Sequence, residues 1–118
     1  MVATPRQILA LTFDAPPAAC SPNSTKRGHE RWQAIKAYRH ACKMDALSVK
    51  NATPGKYPLR PPIAMTVTFV LTSLAQRRDM DNLIAAFKPG QDGIVDARII
   101  PDDSVQVIAR VDYRVAKG

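Results

Sequence analysis

The stretch Ile-Ala-Met-Thr-Val-Thr-Phe-Val-Leu, residues 63–71, decides the fold of this chain. Large apolar side chains occupy every second position from residue 63 onward, while Thr66 and Thr68 lie on the other side, which is the period-two pattern of a β-strand. Ala64 and Val70 make that other side partly apolar as well. A strand that is apolar on both faces is predicted to lie in the interior of a sheet.

Upstream of this strand, the sequence predicts one further strand and one long helix. Apolar side chains at alternate positions of residues 7–13 predict the first strand. A proline-rich loop, 14–24, separates it from a predicted helix over 27–49, in which apolar side chains recur near one face. A second proline-rich segment, 51–62, is predicted to be the loop that leads into the strand 63–71.

Downstream of the strand, the sequence predicts a second helical region and a last strand. Helical spacing of apolar residues begins near Asp81, and Pro89-Gly90 interrupts it, so we predict a kinked or two-part helix. Residues 99–104 are predicted to form a turn, and 105–115 alternate as a long strand with one solvent-facing side. The resulting β-α-β-α-β order predicts an α/β (α+β) fold, in which helices pack on one mixed sheet.

Length and composition indicate one soluble domain, over 1–118. The chain has 118 residues, of which 46% are hydrophobic and 23% charged, as is ordinary for a globular protein. No apolar run approaches the roughly 20 residues of a membrane span, and the first residues lack the apolar stretch of a signal peptide. We therefore expect a cytoplasmic protein without a membrane partner. Cys20 and Cys42 have neither zinc-motif nor disulfide spacing and are predicted to be reduced thiols.

The net charge of +7 favours a polyanionic partner. On the predicted first helix, Lys36, Arg39 and Lys43 recur at spacings of three and four residues and therefore share one face. Such a stripe could be an ordinary solvated face, or it could follow a phosphate backbone. Lys56 and Arg60 add positive charge in the loop before the central strand.

Four aspartates occur in two tight clusters in this otherwise basic chain. Asp79 and Asp81 lie where a strand has ended and a helix begins, and Asp102 and Asp103 form a second acidic cluster just before the last strand. In an extended segment, positions i and i+2 point the same way, so the first two carboxylates can face one point. If the sheet brings both connections to the same edge, the carboxylates converge into a site for Mg²⁺, or for Mn²⁺ in its place, because hard oxygen ligands select these ions.

Each acidic cluster also has a purely structural explanation. Asp81 could cap the second helix, and Asp79 could interact favourably with the helix dipole. The second acidic cluster follows a proline, which is common in turns. The two clusters together in a basic chain nevertheless favour a nuclease, whose metal ion would polarise a phosphodiester. Lys88 could stabilise developing charge at that phosphate, or it could be solvated surface.

The acidic clusters belong to a longer pattern, which runs Arg78-Asp79-Met80-Asp81-Asn82-Leu83 and continues with Lys88, Asp92, Asp102-Asp103 and Gln106. This pattern resembles the RusA family of Holliday junction resolvases, which occurs in bacteria and their phages. Four pieces of the N-terminal half resemble phage-type members, namely Pro16-Pro17, Ser21-Pro22-Asn23, Trp32 and Lys36-Ala37-Tyr38-Arg39. Together these pieces cover most of the chain.

The resemblance implies a RusA-like fold and a magnesium-dependent endonuclease that resolves Holliday junctions or other branched DNA by paired symmetric nicks. The family's catalytic aspartates correspond to Asp79, Asp81 and Asp103. Its essential lysine lies, in well-known members, four residues after the second aspartate of the motif, where this chain has Ala85. Counted back from the second acidic cluster, the matching residue is Lys88.

The resemblance also implies a homodimer, and the substrate gives a physical reason for one. Two symmetric nicks in a four-way junction require two identical sites, which a two-fold dimer provides. Contacts to the DNA phosphates would recognise shape and charge rather than base sequence. We assign these contacts to Asn23, Lys36, Arg39, Lys43, Lys56, Arg60, Arg77 and Arg78.

Two other functions fit parts of the sequence. A non-catalytic protein that binds branched DNA would use the acidic residues only as caps and turns, and the altered spacing before Lys88 favours it. A small metal-dependent hydrolase of nucleotides would explain the acidic clusters but not the strongly positive net charge.

Overall fold

The strand predicted over residues 63–71 is the central strand of a three-stranded sheet in the computed structural model, which describes residues 4–22, 24–25, 27–71 and 79–117. The strands are β1 (Gln7–Asp14), β2 (Ile63–Leu71) and β3 (Ile108–Lys117), in the spatial order β1-β2-β3. The bounds of β2 match the predicted strand, and its interior position is confirmed.

The helices form the connections between the strands. A short 3₁₀ helix, Ala18–Cys20, and the long helix α1 (Gly28–Ala52) connect β1 to β2, and α2 (Met80–Ala86) and α3 (Lys88–Asp96) lie between β2 and β3. The prediction of a two-part second helix is therefore confirmed. The break falls at Phe87 rather than at Pro89, which lies in the first turn of α3, where a missing N–H is tolerated.

The prediction of a mixed sheet is wrong, because the described strands pair in parallel throughout. Parallel pairing requires each connection to return the chain to the same end of the sheet, and the helical connections do so. The last strand also begins three residues later than predicted, at Ile108, since Val107 and Ile108 both donate backbone hydrogen bonds to the Ser104 carbonyl and so prolong the turn.

One face of the sheet packs against the helices and forms the core. Phe87, at the break between α2 and α3, is fully buried there. Its ring centroid lies 5.4 Å from that of Phe13 on β1 and 5.1 Å from that of Phe69 on β2. Tyr38 on α1 completes this aromatic group, with its ring 6.3 Å from Phe87. Packing of the Phe87 ring in the core therefore fixes the position of this break, in addition to the preference of Pro89 for the first turn of a helix.

Helices α1 and α3 approach each other closely at Gly93. A Cβ atom at this position would lie 2.5 Å from the Arg39 carbonyl oxygen and 2.9 Å from the Lys43 backbone nitrogen. Beside this contact, the Arg39 guanidinium donates two hydrogen bonds to Asp96, at 2.6 and 2.9 Å. The two helices are therefore joined both by backbone contact and by a bidentate ion pair.

The other face of the sheet is largely open within the described part of the chain. Its side chains are exposed or half-buried, apart from the small Ala64, and Ile8 is 79% exposed. We call this surface the open sheet face, and it is formed by Ile8, Ala10, Thr12, Asp14, Ala64, Thr66, Thr68, Val70, Arg110, Asp112, Arg114 and Ala116. Among the described helices, none is long and apolar enough to cross a membrane.

Both cysteines are free thiols and are buried, which confirms the prediction that they form no disulfide. Burial raises the pKa of the Cys42 thiol to about 12, so it remains protonated at neutral pH. Buried, protonated thiols are poor nucleophiles and metal ligands. The side-chain hydroxyl of Tyr38, which neighbours Cys42, donates a hydrogen bond of 2.7 Å to the Asp14 carbonyl.

Candidate functional site

Lys88, the first residue of α3, is the centre of an ion network. Its Nζ donates hydrogen bonds to Asp92 Oδ1 at 3.0 Å and to Asp103 Oδ2 at 2.7 Å. The same oxygen of Asp103 accepts a hydrogen bond of 3.1 Å from Gln91 Nε2. We call Lys88, Gln91, Asp92 and Asp103 the Lys88 cluster. Its first three members meet because positions three and four residues apart share one face of a helix.

Asp103 reaches α3 through the connection between α3 and β3. Ile99 and Ile100 are fully buried at the start of this connection, and the Ile99 carbonyl accepts a backbone hydrogen bond of 2.7 Å from Leu59. Asp102 then turns the chain, since its Oδ1 accepts a hydrogen bond of 2.8 Å from the Ser104 backbone N–H. The neighbouring aspartates thus have different surroundings, with Asp102 in a turn and Asp103 against Lys88.

The charges of the Lys88 cluster stabilise one another. The hydrogen bond from Lys88 lowers the pKa of Asp103, and the hydrogen bonds to Asp103 and Asp92 raise the pKa of Lys88. The carboxylate of Asp103 and the ammonium of Lys88 are therefore both charged at neutral pH. Lys88 can stabilise negative charge on a ligand, but it is not a proton acceptor under these conditions.

Asp79 and Asp81 lie at the beginning of α2. Asp79 is the N-cap residue, and its backbone carbonyl accepts hydrogen bonds from Asn82 and Leu83 at 3.0 and 3.1 Å. Its side chain makes no capping hydrogen bond. Asp81 lies in the first turn of the helix, and both residues are exposed. The backbone of Asp79 thus starts the helix, while its carboxylate faces solvent.

The predicted aspartates lie at the two ends of the pair of helices that connects β2 to β3. Asp79 lies just before α2, whereas Asp102 and Asp103 follow α3. The connection after α3 brings Asp103 back to the start of that helix. In the described part of the chain, no three Asp, Glu, His or Cys side chains form a group that could hold a metal ion. The four predicted aspartates are therefore not assembled as one ligand set.

The predicted DNA-binding residues have varied surroundings. Arg39 is bound to Asp96, and its Nη1 lies 3.9 Å from Asp92, so this guanidinium connects α1 to α3. Lys36 places its Nζ 4.9 Å from the centre of the Trp32 ring on the same helix. Of the other predicted DNA-binding residues that the structure describes, Lys43 is half-buried, and Lys56 and Arg60 are exposed on the loop before β2. Asn23, Arg77 and Arg78 lie outside the described residues.

Two features of the site were not predicted from the sequence. Gln91 binds Asp103, and its position three residues after Lys88 on one helix is the signal that could have indicated this. The Arg39–Asp96 pair joins residues 57 positions apart. No local spacing indicates a contact between such distant residues, because it depends on how the two helices pack.

Comparison of this chain with models of protein families, with curated proteins and with solved structures gave no match.

Proposed function

We propose that this protein is a metal-dependent endonuclease that cuts branched DNA, such as a four-way junction. The observation that carries the proposal is the contact between Lys88 and Asp103. The resemblance to the RusA family assigns both residues to the catalytic site, and their side chains meet at 2.7 Å although they are 15 residues apart. The motif named these two residues separately, and their contact across the connection after α3 supports the proposal.

The donor groups fit a hard divalent cation in kind, since they are carboxylate oxygens on exposed or half-buried residues. Following the resemblance, we assign Asp79, Asp81 and Asp103, with Asp102 as their neighbour, to Mg²⁺ or Mn²⁺. Because these residues do not form one ligand set in the described part of the structure, the proposal requires them to move together when the ion binds. Such an ion, when bound, would polarise the scissile phosphodiester and offset charge on the leaving oxygen. The carboxylates also orient Lys88, whose ammonium has three N–H bonds. Its contacts with Asp92 and Asp103 use two of them, and the third can donate to a phosphate oxygen.

The rest of the surface supports a DNA partner and a dimer. The net charge of +7 favours phosphate contacts, for which Lys36, Lys56 and Arg60 are exposed in the described part of the chain. The open sheet face supports a homodimer, because parallel sheets are normally covered on both sides and a second copy would cover this one. A two-fold dimer would present two identical sites to the two strands that must be nicked.

The direct test is incubation of the purified protein with a synthetic four-way junction and Mg²⁺. We expect paired nicks that are lost in Asp81→Asn and Asp103→Asn, since an amide is a weaker ligand for this ion than a carboxylate. Asp45→Asn, which removes a carboxylate of α1 outside the Lys88 cluster, is the matched control and should cut normally. Unchanged cutting by the Asp81 and Asp103 variants would contradict the residue assignment.

A non-catalytic protein that binds branched DNA is the second candidate. It is favoured by the structural use of two acidic residues, since Asp102 holds a turn and Asp103 is neutralised by Lys88. This candidate predicts tight junction binding without cleavage under any divalent metal. In that case Asp102→Ala would destabilise the turn but leave DNA binding unchanged, because the residue would have no role at the phosphate.

A further inference from the structure

The only tryptophan of the chain, Trp32, lies on the surface of α1. Its side chain is 54% exposed, although an indole is among the largest apolar groups a protein can bury. The His29 ring stacks beside it, with 6.0 Å between ring centres and 26° between ring planes. Trp32 therefore contributes little to the core, and its indole is partly exposed to solvent between the His29 ring and the Lys36 ammonium.

Trp32 borders a shallow open depression of about 450 Å³. Among the described residues, the others that line it are Gln33, Lys36, Ala37 and His40, which lie on the same helix and include no carboxylate. The Nζ of Lys36 lies 4.9 Å from the centre of the indole ring. The depression thus combines an aromatic face, an amide with donor and acceptor atoms, and a cation. Phosphate would be attracted to this surface, whereas an acidic side chain would be needed to attract a basic partner.

We propose that Trp32, with Gln33 and Lys36, forms a stacking site for an unpaired nucleobase. The proposal rests on the branched-DNA function proposed above, because flaps, forks and gapped junctions carry unpaired bases beside the branch point. Single-stranded nucleic acid is commonly bound by aromatic side chains on which bases stack, with cations on the backbone, and this mode tolerates any base. The Lys36 ammonium, which lies over the indole, would move to the adjoining phosphate and leave the ring to stack on the base, while Gln33 would contact the base edge.

The fluorescence of Trp32 provides the test, because no other tryptophan contributes to the emission. The Asp81→Asn protein, which should not cut, is titrated without divalent metal with a short single-stranded oligothymidylate and, separately, with a blunt duplex of equal length. We expect the single strand to quench the emission in a saturable way and the duplex to quench it far less. Equal quenching by both would overturn the proposal, since it would reflect phosphate contacts alone.

Two variants separate stacking from general affinity. Both variants lack the only tryptophan, so their affinities are measured by the fluorescence anisotropy of dye-labelled DNA. Trp32→Ala should weaken single-strand binding about ten-fold while leaving duplex binding unchanged, and Trp32→Phe should retain most of the single-strand affinity. Met44→Ala is the matched control, because Met44 is also a large apolar residue of α1 and is 49% exposed. It should bind both DNAs like the unmodified chain. Single-strand binding that is unaffected by Trp32→Ala would overturn the proposal.

The remaining outcomes are equally decisive. If neither DNA quenches the emission, the stacking site is excluded. If the emission changes with protein concentration in the absence of DNA, a second copy covers Trp32, and the stacking site is likewise excluded. Quenching by the single strand in a protein that never cuts a junction would support the stacking site and contradict the nuclease proposal. The two proposals can therefore fail independently.

Discussion

At the scale of single residues, the nuclease proposal makes its sharpest prediction at Lys88. Replacing it with alanine removes the fixed positive charge beside Asp103, and we expect the rate of junction cleavage to fall about 10²–10³-fold, as for other groups that stabilise developing charge. The free energy of unfolding should change by less than about 1 kcal/mol, because the lysine side chain is 62% exposed and exposed ion pairs contribute little. Single-turnover cleavage and urea denaturation measure the two effects.

Lys88→Arg is the control for charge. It keeps the positive charge but changes its geometry, so cleavage should lie between that of the unmodified chain and that of Lys88→Ala. If Lys88→Ala cuts junctions at the unmodified rate, Lys88 is an ordinary surface lysine. If it unfolds instead, the ion network is structural and the assignment of Lys88 to the phosphate loses its support.

The contact of Asp96 with Arg39 predicts how the free energy of unfolding depends on pH. The hydrogen bonds from Arg39 lower its pKa in the folded state below the value of about 3.9 expected in the unfolded chain. A lowered carboxyl pKa adds stability above the unfolded pKa, and this contribution is lost as the pH falls through the folded pKa. Asp96→Asn should therefore lose less stability than the unmodified chain between about pH 6 and about pH 3, measured by denaturant unfolding at each pH.

Asp45 provides a control of opposite sign. Partial burial raises its pKa, so in the folded state it holds its proton more strongly than in the unfolded chain. The contribution of Asp45 to the free energy of unfolding therefore falls as the pH rises through the unfolded pKa. Because Asp45→Asn removes this contribution, the variant should lose stability more steeply in acid. Equal acid sensitivity of both variants would contradict the role of the Arg39–Asp96 pair.

At the scale of elements, the contact between α1 and α3 predicts the effect of Gly93→Ala. A methyl group there would collide with the backbone of α1 at Arg39 and Lys43, and backbone atoms cannot move aside as a flexible side chain can. We expect the free energy of unfolding to fall by about 1–3 kcal/mol, although alanine favours a helix by about 1 kcal/mol over glycine. Ala41→Gly, at an exposed position of α1, measures only the difference in helix propensity between alanine and glycine. A more stable Gly93→Ala protein would contradict the close approach.

The elements themselves were largely predictable, but the direction of the strands was not recognised. The alternation of apolar side chains over 63–71 is sufficient to predict β2. The proline at position 89 is sufficient to predict that the second helical region is interrupted. Strand direction follows from the connections, and a helix between consecutive strands was the available signal for parallel pairing. The start of β3 was misplaced because Val105 and Val107 continue the alternation, whereas backbone hydrogen bonds to Ser104 keep these residues in a turn.

At the scale of the whole molecule, the sequence identified the candidate site residues but could not give the distances between them. Lys88 and Asp103 were both candidates from the motif, and their contact depends on a connection whose course is set by the burial of Ile99 and Ile100. That the predicted aspartates do not form one ligand set among the described residues is likewise a result of folding, which spacing alone does not determine. The distance between residues that are far apart in the sequence thus depends on packing, and only the structure could show it.

The open sheet face makes the last prediction, which concerns the homodimer. If a second copy covers this face, Ile8 lies in the interface, and Ile8→Glu would bury a charge there. We expect at least about a ten-fold weaker dimer, since a cost of about 1.4 kcal/mol is already sufficient for that change. Val105→Glu is the matched control, because Val105 is 84% exposed, comparable with 79% for Ile8, but lies outside the sheet. Sedimentation at several protein concentrations distinguishes the cases. A chain that is monomeric throughout, or equal effects of both substitutions, would show that the dimer does not form through this face.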